Sequence, residues 1–235
     1  LRRTGEHIHI QGSGAMTVFP DHAAEDYDER IARLVPGYGL AIGLMAHVLA
    51  ARRPRPARVL VAGCGTGAEI LAGAALLADT RFTAVEPSAG MLETARRKAR
   101  AEGVEGRIDF HRDMLENTPE APHDAAMLSL VLHFLPDDGA KRDLLRAIAA
   151  RLRTGGQLLL VDALAPQEDD APLRDWLQGR GHAPAAAEAV VGRMRETWHR
   201  IPRDRLVRLL EDAGFRVTAP FFQAFDYLGL EARRT

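Results

Sequence analysis

The sequence is poor in several features that would place a protein in a particular class. One cysteine, Cys64, excludes an intramolecular disulfide and favours a reducing, cytoplasmic setting. The 31 Lys and Arg residues nearly balance the 32 Asp and Glu residues, which argues against a nucleic-acid partner. Apolar runs such as 127–132 are too short to cross a bilayer. The 235 residues, 46% of them hydrophobic, suffice for one α/β domain with an appendage.

The first fifteen residues differ in composition from the rest, because Gly, Ser and alternating His and Ile precede Met16. We expect residues 1–15 to be a leader outside the fold, and we predict no metal site from their histidines. Residues 16–56 have helical patterns and are expected to form an N-terminal lid. Residues 57–235 would then form the main domain, with a helical insert at about 170–200.

From residue 58 onward, short apolar runs alternate with helical patterns. Strands are predicted at 58–62, 81–85, 108–111, 125–132 and 157–163, and helices at 68–78, 88–101 and 144–152. This alternation predicts a parallel sheet with helices on both faces. The last third predicts helices at 172–200 and 202–213, followed by a hairpin of strands 215–219 and 221–231 joined at Pro220.

A glycine-rich segment links the first strand to the first helix of this pattern. Gly63, Gly65 and Gly67 would let the backbone turn sharply and approach a ligand closely. The helix start that follows offers free N–H groups to an anion. The spacing also fits a dinucleotide-binding loop, so this segment alone leaves the ligand open.

Two acidic residues follow the next two strands. Glu86 stands roughly 20 residues past the glycines, where an acid can accept hydrogen bonds from both ribose hydroxyls. The alternative is a helix cap, for which Ser88 is better placed. Asp113 follows the third strand and could accept from an exocyclic amine, or it could be a solvated surface acid. His133, after the fourth strand, could be a base or a hydrogen-bonded structural histidine.

In this order, the features resemble the class I S-adenosylmethionine-dependent methyltransferases. A helix end in that family's pattern, Leu152-Arg-Thr-Gly-Gly156, precedes the fifth strand, and the resemblance covers about residues 19–234. It implies a Rossmann-like, mostly parallel α/β sheet with an antiparallel C-terminal hairpin. It also implies S-adenosyl-L-methionine rather than NAD as cofactor, and methyl transfer to a small-molecule acceptor. One departure is Val61, which stands where the family usually has Asp or Glu.

The resemblance also implies residue roles. The glycine loop would hold the methionine part, Glu86 the ribose, Asp113 with Met114 the adenine, and Leu130 the underside of the sulfonium. The implied cofactor contacts are Tyr27, Gly63, Cys64, Gly65, Gly67, Glu86, Pro87, Met91, Asp113, Met114 and Leu130.

Methyl transfer from a sulfonium asks the protein mainly to position the acceptor, because the cofactor supplies the activation. A base is needed only if the acceptor loses a proton early. His133 and Tyr38 are the candidate catalytic residues, with His199 behind them. The aromatics Trp176, Trp198, Phe222 and Tyr227 could line an acceptor pocket or simply pack the insert against the sheet. Arg193, Arg195 and Arg200 could bind an acidic acceptor or form a solvated helix face.

The two ends of the chain resemble a narrower family, the carboxy-S-adenosylmethionine synthases of the wobble-uridine tRNA pathway. The segments concerned are 19–38 and 213–225. That family joins a prephenate-derived carboxylate to the cofactor, and an arginine of the insert, here Arg193 or Arg195, would hold the carboxylate. Three functions therefore stay open: a small-molecule methyltransferase, a synthase of this kind, and a non-catalytic cofactor-binding protein. A homodimer is a further possibility.

Overall fold

The computed structural model describes residue 24 and residues 26–166 and 168–235. The expected leader and the segment around Phe19 lie outside the described residues. The helices are α1 (Tyr27–Leu34), α2 (Tyr38–Ala51), α3 (Ala68–Leu76), α4 (Ala89–Ala101), α5 (Ala140–Ala150), α6 (Ala171–Gly179), α7 (Pro184–Thr197) and α8 (Arg203–Asp212). The strands are β1 (Arg58–Ala62), β2 (Arg81–Val85), β3 (Ile108–His111), β4 (His123–Ser129), β5 (Leu152–Ala163), β6 (Phe215–Ala224) and β7 (Tyr227–Arg234).

The seven strands form one sheet in the order β3-β2-β1-β4-β5-β7-β6. The first five strands are parallel, and β7 lies antiparallel between β5 and β6. Ala62, the last residue of β1, pairs with Val85 of β2 and with Leu128 of β4. The carboxyl ends of these strands therefore meet at one edge, where ligands bind in open α/β sheets.

Alternate residues of the central strands enter two cores. Val59 and Val61 pack with residues of α2, α3, α4, α6 and α7, whereas Leu60 and Ala62 pack with α5 and α8 on the other face. These strands are buried on both faces and are therefore apolar throughout, which explains why the sequence shows continuous apolar runs. The Rossmann-like class I fold with helices on both faces is confirmed.

The predicted turn of the C-terminal hairpin is wrong. Pro220 lies inside β6, opposite Leu230, with register shifts on both sides, and the chain turns at Phe225 and Asp226 instead. The reason is that β6 is the last strand of the sheet, and an edge strand tolerates a proline because one side of it donates to no ladder.

Several element boundaries also differ from the prediction. The stretch 172–200 is two helices, because Gly181 takes a φ of +92° between them and Pro184 begins α7. Strand β4 stops at Ser129, where Leu130 leaves the extended conformation, and Leu132–Phe134 form a 3₁₀ helix. Helix α5 begins at Ala140 and strand β5 at Leu152, and both begin earlier than predicted.

Among the described residues, no single helix combines the length and apolar character of a membrane span. Helices α1 and α2 meet that test only as a pair, bent by 96° at the break between them.

Candidate functional site

Three glycines after β1 form a turn with left-handed backbone angles. Gly63, Gly65 and Gly67 have φ values of +64°, +49° and +87°, which residues with a side chain rarely adopt. A Cβ on Gly63 would lie 2.7 Å from Cγ2 of Val131, and one on Gly67 would lie 3.1 Å from Cβ of Ala95. A Cβ on Gly65 would meet no described atom within 4 Å. The turn therefore requires glycine and borders open space at Gly65.

Glu86 follows β2 and is bonded to this turn. Its Oε2 accepts a hydrogen bond from the N–H of Gly65 at 3.0 Å, and its Oε1 accepts one from the N–H of Ser88 at 2.9 Å. Burial raises the pKa of the carboxyl, and the two N–H groups oppose that rise. Ser88 is the cap of α4, since its Oγ accepts from the N–H of Met91. In the structure, Glu86 therefore lies at the glycine turn. The sequence predicted that this residue contacts a ligand.

A cleft lies beside the turn. Its lining residues are Ala62, Gly63, Val85, Pro87, Asp113, Leu115, Glu116, Leu128, Val131 and Leu144. Mostly apolar walls with carboxylates at the rim fit a planar base that carries an amino group. Asp113 Oδ1 accepts from the N–H of Met114 and from Asn117 Nδ2, and these bonds, the Asn117 bond foremost, hold the pKa of Asp113 below its usual value.

Leu130, predicted to lie beneath the sulfonium, has a φ of +56° although it is not glycine. A leucine in this region costs about 1–2 kcal/mol, and such strain is concentrated at ligand sites. Its N–H donates to the carbonyl of Val161 at 2.8 Å, which holds the bend in place. Two further predicted contacts, Cys64 and Met91, are 2% and 1% exposed, and their side chains belong to the core.

Helix α1 lies against the glycine turn and α4. Thr66 Oγ1 donates to Oδ1 of Asp28 at 2.5 Å, and Lys98 Nζ forms an ion pair with Oδ2 of the same residue. Burial raises the pKa of Tyr27, and the carboxylates of Glu69 and Glu86 raise it further. Tyr27, a predicted cofactor contact, therefore lies near Glu69 and Glu86, beside the glycine turn.

Tyr38, a predicted catalytic residue, begins α2. Burial raises the pKa of its phenol well above the usual value, and Glu69 and Tyr27 add to that rise. The phenol therefore stays protonated near neutral pH, so Tyr38 can donate a hydrogen bond to a ligand but is a poor proton acceptor.

His133 forms a buried pair with Asp162 of β5. Its Nδ1 lies 2.7 Å from Oδ1 of Asp162, and both side chains are at most 2% exposed. The N–H groups of Val131, Leu132, His133 and Ala163 also donate to the Asp162 carboxylate. Nε2 of His133 is buried and has no hydrogen-bond partner among the described residues. An imidazole oriented by a carboxylate, with its second nitrogen free, is the arrangement of a general base.

The surroundings of His133 are aromatic and closed. Its ring lies 4.0 Å from the ring of Trp198, between ring centres, and the N–H of His199 donates to its carbonyl. A small cavity next to the pair also touches Lys141, whose Nζ donates to the carbonyl of Leu132. Trp198, near the end of the predicted insert, therefore packs on the imidazole.

Comparison with known families points to methyltransferases. A methyltransferase domain family matches residues 59–156. Curated carboxy-S-adenosyl-L-methionine synthases align with most of the chain: the synthase of Chromohalobacter salexigens is 26% identical over 225 residues, 91% of this chain and 82% of its own. The synthase of Campylobacter hominis is 26% identical over 231 residues, 92% of this chain and 94% of its own.

Solved methyltransferase structures share the fold. The magnesium protoporphyrin IX methyltransferase of Synechocystis PCC 6803, determined with bound S-adenosylmethionine, has a TM-score of 0.64 at 17% identity, over 92% of this chain and 94% of that one. An O-methyltransferase from neocarzinostatin biosynthesis, in complex with S-adenosyl-L-homocysteine and 1,4-dihydroxy-2-naphthoic acid, has a TM-score of 0.59 at 21% identity, over 91% of this chain and 54% of that one. The chain spans about three fifths of the length of several such O-methyltransferases.

The predicted resemblance to class I S-adenosylmethionine-dependent methyltransferases is confirmed, because a methyltransferase domain family matches residues 59–156 and solved methyltransferases share the fold. The predicted similarity to carboxy-S-adenosylmethionine synthases is confirmed as well. S-adenosyl-L-methionine is the cofactor or substrate of this enzyme. The residues fit it, because a glycine turn, a carboxylate bonded to that turn and an apolar cleft follow one another along the sheet edge.

The arginines of the predicted insert are largely engaged within the protein. Arg200, whose side chain is 7% exposed, donates to both oxygens of Asp170, and Arg195 donates to Oδ2 of the same carboxylate. Arg195 also pairs with Glu188, whereas Arg193 is exposed on α7. Two of the three arginines predicted to meet an acidic acceptor are therefore partly neutralised.

The four aromatics predicted to line a pocket have different surroundings. Trp198 contacts His133, but Trp176 Nε1 donates to the carbonyl of Arg33 and joins α6 to α1. Phe222 packs at the first core. The Tyr227 hydroxyl is buried without a hydrogen-bond partner among the described residues.

Sequence reasoning missed Asp162, Glu69 and Lys141. Asp162 stands within the apolar run of β5, and a lone acid in such a run signals a buried partner. Glu69 looks like an ordinary first-turn acid of a helix. Its burial follows only from α1 and α2 folding over the turn. Within the described part of the chain, no group of three His, Cys, Asp or Glu residues is placed to hold a metal.

Proposed function

We propose that this enzyme transfers the methyl group of S-adenosyl-L-methionine to a small-molecule acceptor. One observation carries the proposal: a cofactor cradle and a buried His–Asp pair lie at the same sheet edge. Glu86 holds the turn through the N–H of Gly65, and His133 is oriented by Asp162. The cofactor supplies an activated methyl group, and the chain's own residues position the acceptor and remove its proton.

In this proposal, Glu86 accepts from the ribose hydroxyls, and the cleft beside Pro87 and Asp113 takes the adenine. His133 Nε2 removes the proton from the methyl acceptor. Asp162 holds the imidazole ring in place through Nδ1 and stabilises the positive charge that develops on the ring. Tyr38 donates a hydrogen bond to the acceptor. The N-terminal helices and the insert at about 170–200 cover the site and exclude water.

Labelled cofactor tests the reaction. The protein is incubated with methyl-labelled S-adenosylmethionine and a cell extract filtered to retain only small molecules. Appearance of label in a small molecule, dependent on the protein, is the expected result. Label that enters only RNA or protein from an unfiltered extract would overturn the small-molecule proposal.

A carboxy-S-adenosylmethionine synthase activity is the second candidate, because curated synthases align with about nine tenths of the chain. Mass spectrometry of the cofactor after incubation with prephenate distinguishes the two, since a carboxylated cofactor is heavier than the parent. Of the two arginines that could hold the extra carboxylate, Arg195 is bonded to Asp170 and Arg193 is exposed on α7, and this engagement of Arg195 ranks the activity second. A non-catalytic binding protein would give neither product.

Replacing His133 with Ala separates catalysis from binding. We expect turnover to fall by about 10²-fold or more, the usual contribution of a general base, while the affinity for the cofactor stays nearly unchanged. Single-turnover kinetics and titration calorimetry measure the two quantities. Unchanged turnover in a folded variant would show that the imidazole is structural.

Replacing Glu86 with Ala tests the ribose contact. Loss of a charge-assisted contact to two hydroxyls is expected to weaken cofactor binding by more than about tenfold. Asp109→Ala is the matched control, because Asp109 is an exposed acid of the adjacent strand β3. Equal affinities for the two variants by calorimetry would refute the assignment.

A further inference from the structure

A buried carboxylate at the site has no part in the mechanism above. Glu69 is the second residue of α3 and is 6% exposed. The side chains that influence it or are influenced by it come from every element around the turn: Tyr27 and Asp28 of α1, Tyr38 of α2, Cys64, Lys98 of α4 and Ser129 at the end of β4. A buried acid among so many polar groups points to a ligand contact.

The charge of Glu69 is poorly compensated by the protein. Lys98 is the one cation in this set, and its ammonium is bonded to Asp28. The Ser129 hydroxyl lies close to the carboxylate and lowers its pKa. It is buried, and its distance and angles to neighbouring groups do not meet the criteria for a hydrogen bond among the described residues. Burial raises the pKa of Glu69 to about 7, although its own N–H, Ser129 and Lys98 act in the opposite direction. A cationic ligand would stabilise the ionised carboxylate.

The proposed orientation of the cofactor determines which part of it would reach this acid. The proposed ribose contact follows β2 and the adenine cleft extends to Asp113 after β3. The rest of the molecule then runs along the glycine turn after β1 toward β4, where Ser129 and Glu69 lie. That part carries the α-ammonium group of the methionine moiety.

We propose that the Glu69 carboxylate binds the α-ammonium group of S-adenosylmethionine, with the Ser129 hydroxyl beside it as a second acceptor. The inference rests on the proposed orientation of the cofactor. It also fits the departure at Val61, which is 2% exposed in the core and carries no charge where the superfamily usually has an acid. Glu69 supplies a carboxylate to the same turn from the helix that follows it.

Two ligands test this contact: S-adenosyl-L-homocysteine and its deaminated analogue, in which hydrogen replaces the amino group. For Glu69→Gln, we expect the affinity for S-adenosyl-L-homocysteine to fall by about tenfold or more, because a charged partner is lost. The affinity for the deaminated analogue should change by less than about twofold. Glu93→Gln is the control, an identical substitution on the exposed face of α4.

The pH dependence of ligand affinity in the unmodified protein is a second test. It applies even if the Glu69→Gln variant does not fold. Glu69 ionises as pH rises through about 7. The affinity for S-adenosyl-L-homocysteine should therefore increase by up to about eightfold between pH 6.0 and 7.5, relative to the deaminated analogue. Glu86 is the other acid of the site whose pKa is raised. In the proposed orientation it contacts the ribose of both ligands, so its ionisation changes both affinities equally and cancels in their ratio.

Parallel pH profiles for the two ligands would overturn the inference, and so would an equal loss of both ligands in Glu69→Gln. Neither outcome touches the proposed methyl transfer, which is measured by label in a small molecule. Failure of the unmodified protein to bind either ligand would overturn the cofactor assignment and the inference together.

Discussion

Two acids give the site its electrostatic character at the scale of single residues. Glu86 accepts two backbone N–H bonds, which partly offset the cost of burying its charge. Within the described part of the chain, the cation that acts on Glu69 is Lys98, which is bonded to Asp28, and burial raises the pKa of Glu69 to about 7. The protein therefore carries a carboxylate that is costly to ionise until a ligand arrives, and the cost should be visible in stability.

The stability of the free protein should report this cost as a function of pH. The folded pKa of Glu69 is raised from 4.5 to about 7, so its contribution is fully present below pH 4.5 and is lost as pH rises through 7. The loss amounts to roughly 3 kcal/mol at most. Glu69→Gln should lack this decline, so its free energy of unfolding relative to the unmodified protein should rise between pH 5 and pH 7.5. Urea unfolding at the two pH values measures it, and an unchanged difference would contradict the assigned burial.

At the scale of elements, the glycine turn combines a backbone requirement with a packing requirement. All three glycines have positive φ, but only Gly63 and Gly67 are also crowded by side chains, Val131 and Ala95. Their sequence spacing predicted a turn that approaches a ligand. The crowding could not be predicted, because Val131 comes from the segment after β4, about seventy residues along the chain.

Alanine substitutions separate the two requirements. Gly65→Ala is expected to cost about 1–2 kcal/mol of stability, from backbone strain alone. Gly63→Ala should cost about 1–3 kcal/mol more, because its Cβ would lie 2.7 Å from Cγ2 of Val131. Thermal or urea unfolding of the two variants gives the difference. Equal stability would show that Val131 moves aside without cost.

For the molecule as a whole, a buried carboxylate joins the start of the predicted insert to its end. Asp170 precedes α6 and is 1% exposed, and it binds Arg195 of α7 and Arg200 beyond it. Since Trp198 lies between these arginines and packs on His133, the ion pairs also hold the cover of the predicted base in place.

Asp170→Asn should be strongly destabilising, since it leaves the guanidinium of Arg200 buried without its counter-ion. Removal of one partner of a buried pair costs roughly 3–5 kcal/mol. Asp175→Asn, an exposed acid of the same helix, is the matched control and should cost less than about 0.5 kcal/mol. Similar stabilities of the two variants in urea unfolding would show that the insert does not depend on this network.

The sequence by itself determined the order of strands and helices, the glycine turn and the position of Glu86, because these depend on local periodicity and on spacing along the chain. Only the tertiary structure decided that Pro220 lies within an edge strand, that Asp162 meets His133, and that Glu69 is buried beneath α1 and α2. Each of these depends on segments that are distant in sequence, and the burial of a charge is a property of what covers it rather than of the residue itself.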